Sequence, residues 1–184
     1  MPTRSELIAL LTDYDPSDVE EQEYRVRMLD LAAAADDPFR RTDYVPGHFT
    51  ASGFVVHPDG DRILLVHHAL LGIWVQPGGH IDPADRSVIE AARREIVEET
   101  GLTDLAPVVE GLVDVDIHEF DASGDQPDHL HYDVRFAFST SGDLLAPSTE
   151  VLEAVWVTEG DLVGLGVDRS VLRPAGKLLV GHGG

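Results

Sequence analysis

The sequence of 184 residues contains no cysteine. This absence excludes disulfides, thiolate zinc sites, iron–sulfur clusters and any thiol nucleophile. Long hydrophobic runs are absent as well, and no apolar stretch approaches the roughly 18–20 residues that a membrane-spanning helix needs. The N-terminal segment turns acidic after one short apolar stretch, which is not typical of a signal peptide. The sequence therefore predicts neither a membrane span nor a leader, and the cytoplasm is the simplest expectation for its location.

Basic residues are scarce, since 12 arginines and one lysine stand against 34 acidic residues. The formal net charge of −21 opposes binding to nucleic acid or to an anionic membrane, so we expect neither as a partner. A phosphate-bearing substrate would need help from a metal ion. Hydrophobic residues make up 43% of the chain and charged residues 26%, which is typical of a globular protein with a buried core. The length predicts a single domain over residues 1–184.

The chain divides into a helical extension at residues 1–45 and a mixed domain at residues 46–184. Within the extension, apolar residues recur at three- and four-residue steps over Ser5–Asp37, which predicts helix. At the start of the mixed domain, Phe49–His57 and Arg62–His68 predict two strands of a hairpin, because a turn-forming Pro-Asp-Gly stretch joins them.

A short strand at Trp74–Gly79 is expected to end in a forced turn, because proline lacks an N–H group and paired glycines permit positive φ. A helix follows, since Ser87 and Glu90 have the spacing of a capping box at a helix N-terminus. We expect this helix to stop at Gly101, which can adopt the left-handed conformation common after a helix. Both ends of the helix are thus specified by local sequence.

The C-terminal half of the chain predicts further strands and two terminal helices. Strand character is found in three segments, Val108–Glu119, His129–Ser139 and Ala154–Val157. Asp161–Leu165 and Ser170–Val180 have helical character, although Pro174 disfavours a regular helix near the start of the second segment.

The main chemical signal lies inside the capped helix, in the segment Arg94-Glu95-Ile96-Val97-Glu98-Glu99-Thr100-Gly101-Leu102. At about 100° per residue, Glu98 and Glu99 lie to either side of Glu95, so that three carboxylates share one helix face. One interpretation is a solvated acidic face, which is common in acidic chains. The other interpretation is a functional site in which the three carboxylates act together.

The whole pattern over residues 79–102 resembles the Nudix box, G-x5-E-x7-R-E-U-x-E-E-x-G-U, where U is an aliphatic residue. The second half, Arg94–Leu102, matches at every position. The first half departs from the pattern, because eight residues rather than seven separate Asp85 from Arg94, and aspartate replaces the usual glutamate. We expect the loop at 82–86 to absorb the extra residue, which leaves the helix unaffected. The resemblance spans about residues 49–158.

This resemblance implies an α/β fold, a Nudix-type α/β/α sandwich around a mixed sheet, here with an N-terminal helical extension. It also implies that Glu95, Glu98 and Glu99 are ligands of Mg²⁺ or Mn²⁺, with Gly79 supplying a backbone carbonyl. Arg94 would hold a box carboxylate in place through charge-assisted hydrogen bonds rather than touch substrate. The donor types agree, because hard cations prefer carboxylate oxygen and a cluster without thiols favours Mg²⁺ or Mn²⁺ over zinc.

The reaction that the resemblance implies is attack of water at phosphorus in a nucleoside diphosphate linked to another group, which splits the diphosphate. Bound metal would neutralise the developing charge, orient both oxygens and lower the pKa of the attacking water. A base or extra ligand outside the box is expected at Glu150, on a loop before a strand, with Glu153 as second choice. Each of these two residues is as readily interpreted as a solvated loop acid. The predicted catalytic set therefore comprises Glu98, Arg94 and Glu150.

Polar residues alternate along one predicted strand, where His129, His131, Asp133 and Arg135 share a face. The same alternation is found in a second strand, at Asp114, Asp116 and His118. Two such strands could form a secondary metal site or bind phosphate, but solvated sheet faces are the favoured interpretation. His131 and Arg135 are candidates for binding substrate. Trp74 and Tyr132 are candidates for stacking a base, although each is more often a core residue.

Three hypotheses follow for the function. The first is a metal-dependent Nudix pyrophosphohydrolase that acts on a small nucleoside diphosphate derivative. The second is a Nudix-fold module that binds a nucleotide without hydrolysing it, which the irregular first half of the box motivates. The third, isopentenyl diphosphate isomerase, resembles the chain only in outline, since the catalytic cysteine of its usual form is missing.

The resemblance leaves the substrate and the oligomeric state open. Family members act on ADP-ribose, dinucleoside polyphosphates, NADH, coenzyme A, nucleotide sugars and oxidised nucleoside triphosphates. Many relatives are homodimers, and the helical segment Ser5–Asp37 could serve such an interface.

Overall fold

The computed structural model describes residues 1–122, 124, 126–149 and 151–179. The helices are α1 (Arg4–Asp13), α2 (Val19–Ala34), α3 (Val88–Thr100), α4 (Glu159–Leu165) and α5 (Arg169–Leu179). The strands are β1 (Gly47–Val56), β2 (Ile63–His68), β3 (Trp74–Val75), β4 (Gly78–His80), β5 (Leu105–Pro107), β6 (Asp114–Phe120), β7 (His129–Thr140) and β8 (Val151–Val157). No helix in the described ranges combines the length and the apolar character that crossing a membrane requires.

One mixed sheet contains all eight of these strands, with the path β3-β2-β1-β7-β5 through it. β1 and β7 pair in parallel from Gly47 opposite Leu130 to Val56 opposite Ser139. The other pairs are antiparallel: β1 with β2 and β4, β2 with β3 and β8, and β7 with β5 and β6. The predicted hairpin of β1 and β2 is confirmed, whereas β5 had no counterpart in the sequence-based prediction.

Two hydrophobic cores lie on opposite faces of the sheet. The larger core joins α1, α2 and α3 to the sheet and includes Phe49 and Ala51 of β1. The smaller core joins α4 and α5 to β2 and β8, and it includes Phe54 of β1. Because neighbouring side chains of a strand point to opposite faces, these β1 residues mark the two sides of the sheet. The predicted α/β sandwich with N-terminal helices is confirmed.

The predicted N-terminal helical segment consists of two helices. α1 begins after Thr3, which forms a reciprocal capping box with Glu6. α2 begins after Asp18, whose side chain accepts a hydrogen bond from the backbone of Glu21. Between them, Pro16 disfavours helical geometry at the residue before it, so the chain extends and turns back.

Helix α3 has the two ends that the sequence predicts. The Ser87 side chain accepts a hydrogen bond from the Glu90 amide at 3.3 Å, and Gly101 adopts a left-handed φ of 77°. α3 lies close against β1, since a Cβ atom at Gly53 would lie 2.4 Å from the Cδ1 atom of Ile96. Ile96 therefore anchors one side of the helix in the core, which fixes where its acidic face lies.

Helix α5 continues through Pro174, which the sequence treats as an obstacle. Proline cannot donate to the carbonyl four residues earlier, which here belongs to Ser170. That carbonyl accepts a hydrogen bond of 2.7 Å from Arg135 of β7 instead. A side chain from the sheet thus replaces the missing helical bond. Val180, the predicted last residue of the helix, lies outside the described residues.

Candidate active site

A cavity of about 1390 Å³ brings the acidic face of α3 together with the polar face of β7. Its wall includes Gly78, Gly79, Glu95, Glu98, Glu99, His131 and Asp133. The sequence indicated the helix and the strand as two separate features. In the folded chain they border the same space.

Arg94 forms hydrogen bonds to residues in both halves of the box motif. Its Nε and Nη2 atoms donate to the two carboxylate oxygens of Asp85 at 2.9 and 3.1 Å. Its Nη1 atom donates to Glu95 at 2.9 Å and to Glu98 at 3.0 Å, and Nη2 also donates to the carbonyl of His80 at 2.9 Å. The hydrogen bonds that Arg94 donates to Asp85 raise the pKa of Arg94 further above its usual value, so the guanidinium stays charged. Two acidic side chains of α3 are therefore held by one nitrogen.

The extra residue in the first half of the motif is taken up in a tight turn before α3. The Asp85 amide donates to the carbonyl of Asp82 at 2.9 Å, and the Asp82 amide donates to the Asp85 side chain at 2.8 Å. These two bonds close the turn and orient the Asp85 carboxylate, which is 8% exposed, toward Arg94. The shorter aspartate therefore still reaches the arginine, and α3 begins regularly after Ser87.

The paired glycines lie directly against the carboxylates of α3. The Gly78 amide donates to the Glu99 carboxylate at 3.2 Å. A Cβ atom at Gly79 would lie 2.7 Å from both the Cδ and Oε1 atoms of Glu95. A Cβ atom at Gly78 would lie 2.3 Å from the Oγ atom of Ser52, on the opposite side of β4. A side chain at Gly78 would collide with Ser52, including its backbone, and a side chain at Gly79 would displace the Glu95 carboxylate.

The residues at this end of the cavity fit a hard divalent cation. Three carboxylates of α3 and the carbonyl of Gly79 offer only oxygen donors, which Mg²⁺ and Mn²⁺ prefer. Exposure increases along the helix face, with Glu99 buried, the Glu95 side chain 13% exposed and the Glu98 side chain 53% exposed. Arg94 is the positive side chain that the described residues place among them, so negative charge is in excess.

The polar face of β7 is buried, and the expectation of a solvated sheet face was wrong. Asp133 is 1% exposed and Arg135 is 2% exposed. Arg135 donates to Asp133 at 2.8 Å, to Asp116 at 3.1 Å and to Asp114 at 3.2 Å. Burial lowers the pKa of Arg135, but the three aspartates outweigh it and raise that pKa overall. Sequence periodicity placed these residues on one face but could not show that β6 and α5 supply partners that enclose Arg135.

Asp133 links this buried network to the box. Its carboxylate accepts hydrogen bonds from Thr50 at 3.0 Å and from Ser52 at 2.8 and 2.9 Å. Ser52 is the residue that Gly78 approaches, so β1 connects β7 to the paired glycines. The role of Arg135 in binding substrate stays a prediction, and its guanidinium is engaged by aspartates and by the Ser170 carbonyl.

His131 belongs to a cluster of histidines at the cavity wall. Its ring centroid lies 5.0 Å from that of His48, 5.4 Å from that of His80 and 4.8 Å from that of His129. Burial and the neighbouring histidines lower the pKa of His131 to about 2 and that of His80 to about 4. These rings are therefore uncharged near neutral pH. The sequence analysis missed His48 and His80, because only the strand pairing of β1 with β4 and β7 brings them to His131.

The remaining predicted site residues lie in different environments. Trp74 lines the cavity and stacks on His67 with ring centroids 4.9 Å apart, whereas Tyr132 is buried in the larger core. Glu150, the first candidate for the base, lies outside the described residues. Glu153 is exposed on β8, opposite His67, and is not among the described residues that line the cavity. The assignment of a base therefore stays a prediction.

Known proteins resemble this chain in sequence and in fold. The NUDIX domain family model matches residues 47–175. A Bacillus subtilis protein provisionally named 8-oxo-dGTP diphosphatase is 34% identical over 115 residues, which cover 62% of this chain and 70% of that protein. Phosphatase NudJ of Escherichia coli is 45% identical over 51 residues, which cover 27% of this chain and 32% of NudJ. The crystal structure of a NUDIX-family hydrolase from Clostridium perfringens superposes with a TM-score of 0.55 and 28% identity, over 72% of this chain and 95% of that chain.

Proposed function

Because this chain belongs to the Nudix family and is a Nudix hydrolase, we propose that it cleaves the diphosphate linkage of a small nucleoside diphosphate derivative with the help of Mg²⁺ or Mn²⁺. The observation that carries this proposal is that Glu95 and Glu99 lie against the paired glycines, while Glu98 on the same helix face lines the same large cavity. Three like charges on one helix face have no advantage for stability. A divalent cation held by these carboxylates and facing an anionic substrate would account for the arrangement.

In this proposal the three glutamates and the carbonyl of Gly79 hold the metal ion, and Arg94 keeps Glu95 and Glu98 in position through Nη1. When bound, the ion neutralises charge on the diphosphate and lowers the pKa of the attacking water. Asp85 in turn fixes the plane of the Arg94 guanidinium through two hydrogen bonds. Arg94 is thus a positioning residue rather than a substrate ligand.

The chemical step is an attack by water on one phosphorus of the diphosphate. The new bond joins the water oxygen to phosphorus, the bridging P–O bond breaks, and the proton of the water passes to a base. We propose Glu150 as that base, with Glu153 as the alternative. The acidic cavity wall would repel a phosphate without the cation, in keeping with the net charge of −21.

The wall opposite the carboxylates is proposed to receive the rest of the substrate. His131 and Trp74 line this part of the cavity and offer ring faces and hydrogen-bonding nitrogen. Arg135 also lines the cavity and stays proposed as a substrate-binding residue, which holds the Asp133 carboxylate in place there. This division leaves the metal as the main phosphate-binding group.

Steady-state hydrolysis by the untagged chain tests the proposal. The protein is incubated with Mg²⁺ or Mn²⁺ and a panel that includes 8-oxo-dGTP, ADP-ribose and dinucleoside polyphosphates, and products are separated by ion-exchange chromatography. Glu98→Gln should lower kcat by about 100-fold or more, because a neutral amide holds a cation poorly. The matched control is Glu90→Gln on the same helix, since Glu90 pairs with Arg93 and should leave kcat unchanged.

Two results would contradict the proposal. The first is an absence of turnover on every substrate with either metal, and the second is an unchanged kcat in Glu98→Gln. Calorimetry distinguishes the alternative of a binding module, which would take up a nucleotide without divalent metal and would retain this binding in Glu98→Gln.

A further inference from the structure

Three strands bring histidines together beside the carboxylate site. One ring nitrogen from each of His48 on β1, His80 on β4 and His131 on β7 can be chosen so that all lie within 4.8 Å of one another. The sheet imposes this arrangement, because His48 lies opposite His131 in the β1–β7 pair and His80 lies opposite Thr50 of β1. We propose that these three histidines bind a divalent transition-metal ion such as Zn²⁺, at a site distinct from the carboxylates of α3.

The state of the His48 ring supports this site. Its side chain is 1% exposed, and its Nδ1 atom lies 3.2 Å from the carbonyl oxygen of Asp43. Because a carbonyl only accepts hydrogen bonds, Nδ1 carries the proton and Nε2 of the neutral ring keeps a lone pair. Within the described part of the chain, this buried Nε2 has no hydrogen-bond partner. A buried polar atom without a partner destabilises the fold, and a metal ion would satisfy it.

The tautomer of His131 is fixed in a similar way. The Nδ1 atom of His129 lies 2.7 Å from the carbonyl of Pro127 and must donate to it, so Nε2 of the neutral His129 ring is an acceptor. The Nε2 atom of His131 lies 3.1 Å from that acceptor and therefore donates, which leaves the lone pair of His131 on Nδ1. Histidines that bind metal usually have their other ring N–H engaged by such a partner. Both His48 and His131 meet this condition.

The donor type selects the class of metal. Imidazole nitrogen suits Zn²⁺, Co²⁺ and Ni²⁺, whereas Mg²⁺ favours oxygen. Two nitrogens on one tetrahedral zinc, each at about 2.0–2.1 Å from the ion, lie about 3.4 Å apart. Small rotations of the three rings would bring their nitrogens from the present separation to this distance. His80 and His131 also line the cavity, so an ion held by them is accessible from it.

Cobalt and zinc titrations of the metal-free, untagged chain test this inference without any substrate. We expect one equivalent of Co²⁺ to produce the visible absorption of a four-coordinate nitrogen site, and Zn²⁺ to displace it. His48→Gln and His80→Gln should each weaken Co²⁺ binding by at least about 10-fold, because each removes one of three ligands. His67→Gln is the matched control, since His67 stacks on Trp74 and is not part of the cluster.

The same titration separates this site from the carboxylates. Glu98→Gln should keep the Co²⁺ absorption and its midpoint, because Glu98 does not belong to the histidine group. The inference is overturned if the chain binds no Co²⁺ at one equivalent, or if Glu98→Gln removes the absorption and His80→Gln leaves it intact. Circular dichroism checks the fold of each variant. If the buried His48→Gln variant does not fold, the less buried His80→Gln decides the outcome.

Discussion

At Gly79 the folded chain has no room for a side chain, and this gives a test of the site at the scale of one residue. A Cβ atom there would lie 2.7 Å from the Glu95 carboxylate, so Gly79→Ala should turn that carboxylate away. We expect the affinity for Mn²⁺, measured by calorimetry, to fall by about 10- to 100-fold. Gly142→Ala is the control, because nothing lies within 4 Å of a Cβ atom at that glycine. Equal affinities in the two variants would contradict the role proposed for Glu95.

Single residues of the site differ in how far the sequence could predict them. The shared helix face of Glu95, Glu98 and Glu99 was predictable because helical geometry places them together, and their role as metal ligands stays a prediction from the family resemblance. The ion pair between Asp85 and Arg94 was obscured by the extra residue in the loop, although the turn that absorbs it is local. His48 could not be assigned, because its neighbours depend on the order of strands that are distant in sequence.

At the scale of elements, α3 depends on its N-terminal cap for part of its stability. The Ser87 side chain accepts a hydrogen bond from the Glu90 amide. This amide is one of those near the N-terminus that an α-helix leaves without an internal partner. Ser87→Ala should therefore lower the free energy of unfolding by about 1 kcal/mol. Urea unfolding followed by circular dichroism measures this change. The Mn²⁺ affinity should stay the same, because the carboxylates lie two turns further along the helix, and a large loss of affinity would contradict this separation.

Elements with local signals were predicted well, and those that depend on distant partners were not. Helix α3 carries signals at both ends, whereas α5 contains Pro174, whose missing hydrogen bond is replaced by Arg135 of β7. Strand β5 consists of three residues that, among the described strands, pair with β7 alone, and so short a segment has little periodicity of its own. Local sequence thus predicts the helix α3, whereas the formation of α5 and β5 depends on residues that are distant in sequence.

At the scale of the whole molecule, a buried charge network joins the N-terminal helices to the sheet and to α5. Lys177 of α5 donates to Glu21 of α2, and to Asp114 of β6 at 3.1 Å, and both carboxylates are fully buried. Burial alone would raise the pKa of Glu21, but hydrogen bonds from its neighbours outweigh it and hold that pKa below its usual range. The extension at residues 1–45 is therefore anchored by charge as well as by apolar packing.

Replacing this lysine should destabilise the entire fold. Lys177→Met keeps the volume but leaves Glu21 and Asp114 paired with arginines alone in the described part of the chain, among them Arg173. We therefore expect the free energy of unfolding in urea to fall by up to about 3–5 kcal/mol, the loss for a buried charge without any partner. Arg169→Met is the control on the same helix, because Arg169 is 65% exposed and pairs with Asp18 at the surface. That change should cost about 1 kcal/mol or less. A similar loss of unfolding free energy in both variants would show that the destabilisation does not depend on whether the ion pair is buried.

The uncharged histidine cluster makes stability depend on pH throughout the weakly acidic range. His80 and His131 have folded-state pKa values of about 4 and about 2, below the ordinary value of 6.5. Between pH 6.5 and 4 the unfolded chain therefore binds protons that the folded chain does not. The free energy of unfolding should fall as the pH falls, by up to about 1.4 kcal/mol per pH unit for each ring.

Asp116 also makes the free energy of unfolding fall as the pH falls, but at lower pH than the histidines. Burial raises its pKa, but Arg135 and His118 outweigh burial and bring the pKa down to about 2, so its contribution is lost below pH 3.8. Urea unfolding of the metal-free chain between pH 7 and 4.5 covers the pH range of the histidines while Asp116 stays ionised. Burial raises the pKa of Asp114, and its proton uptake in the folded chain acts in the opposite direction, so the comparison with a histidine variant carries the test. His131→Gln should flatten this pH dependence, since the variant retains only the proton uptake of the other rings. A slope that is equal in both proteins would mean that His131 is protonated in the folded chain.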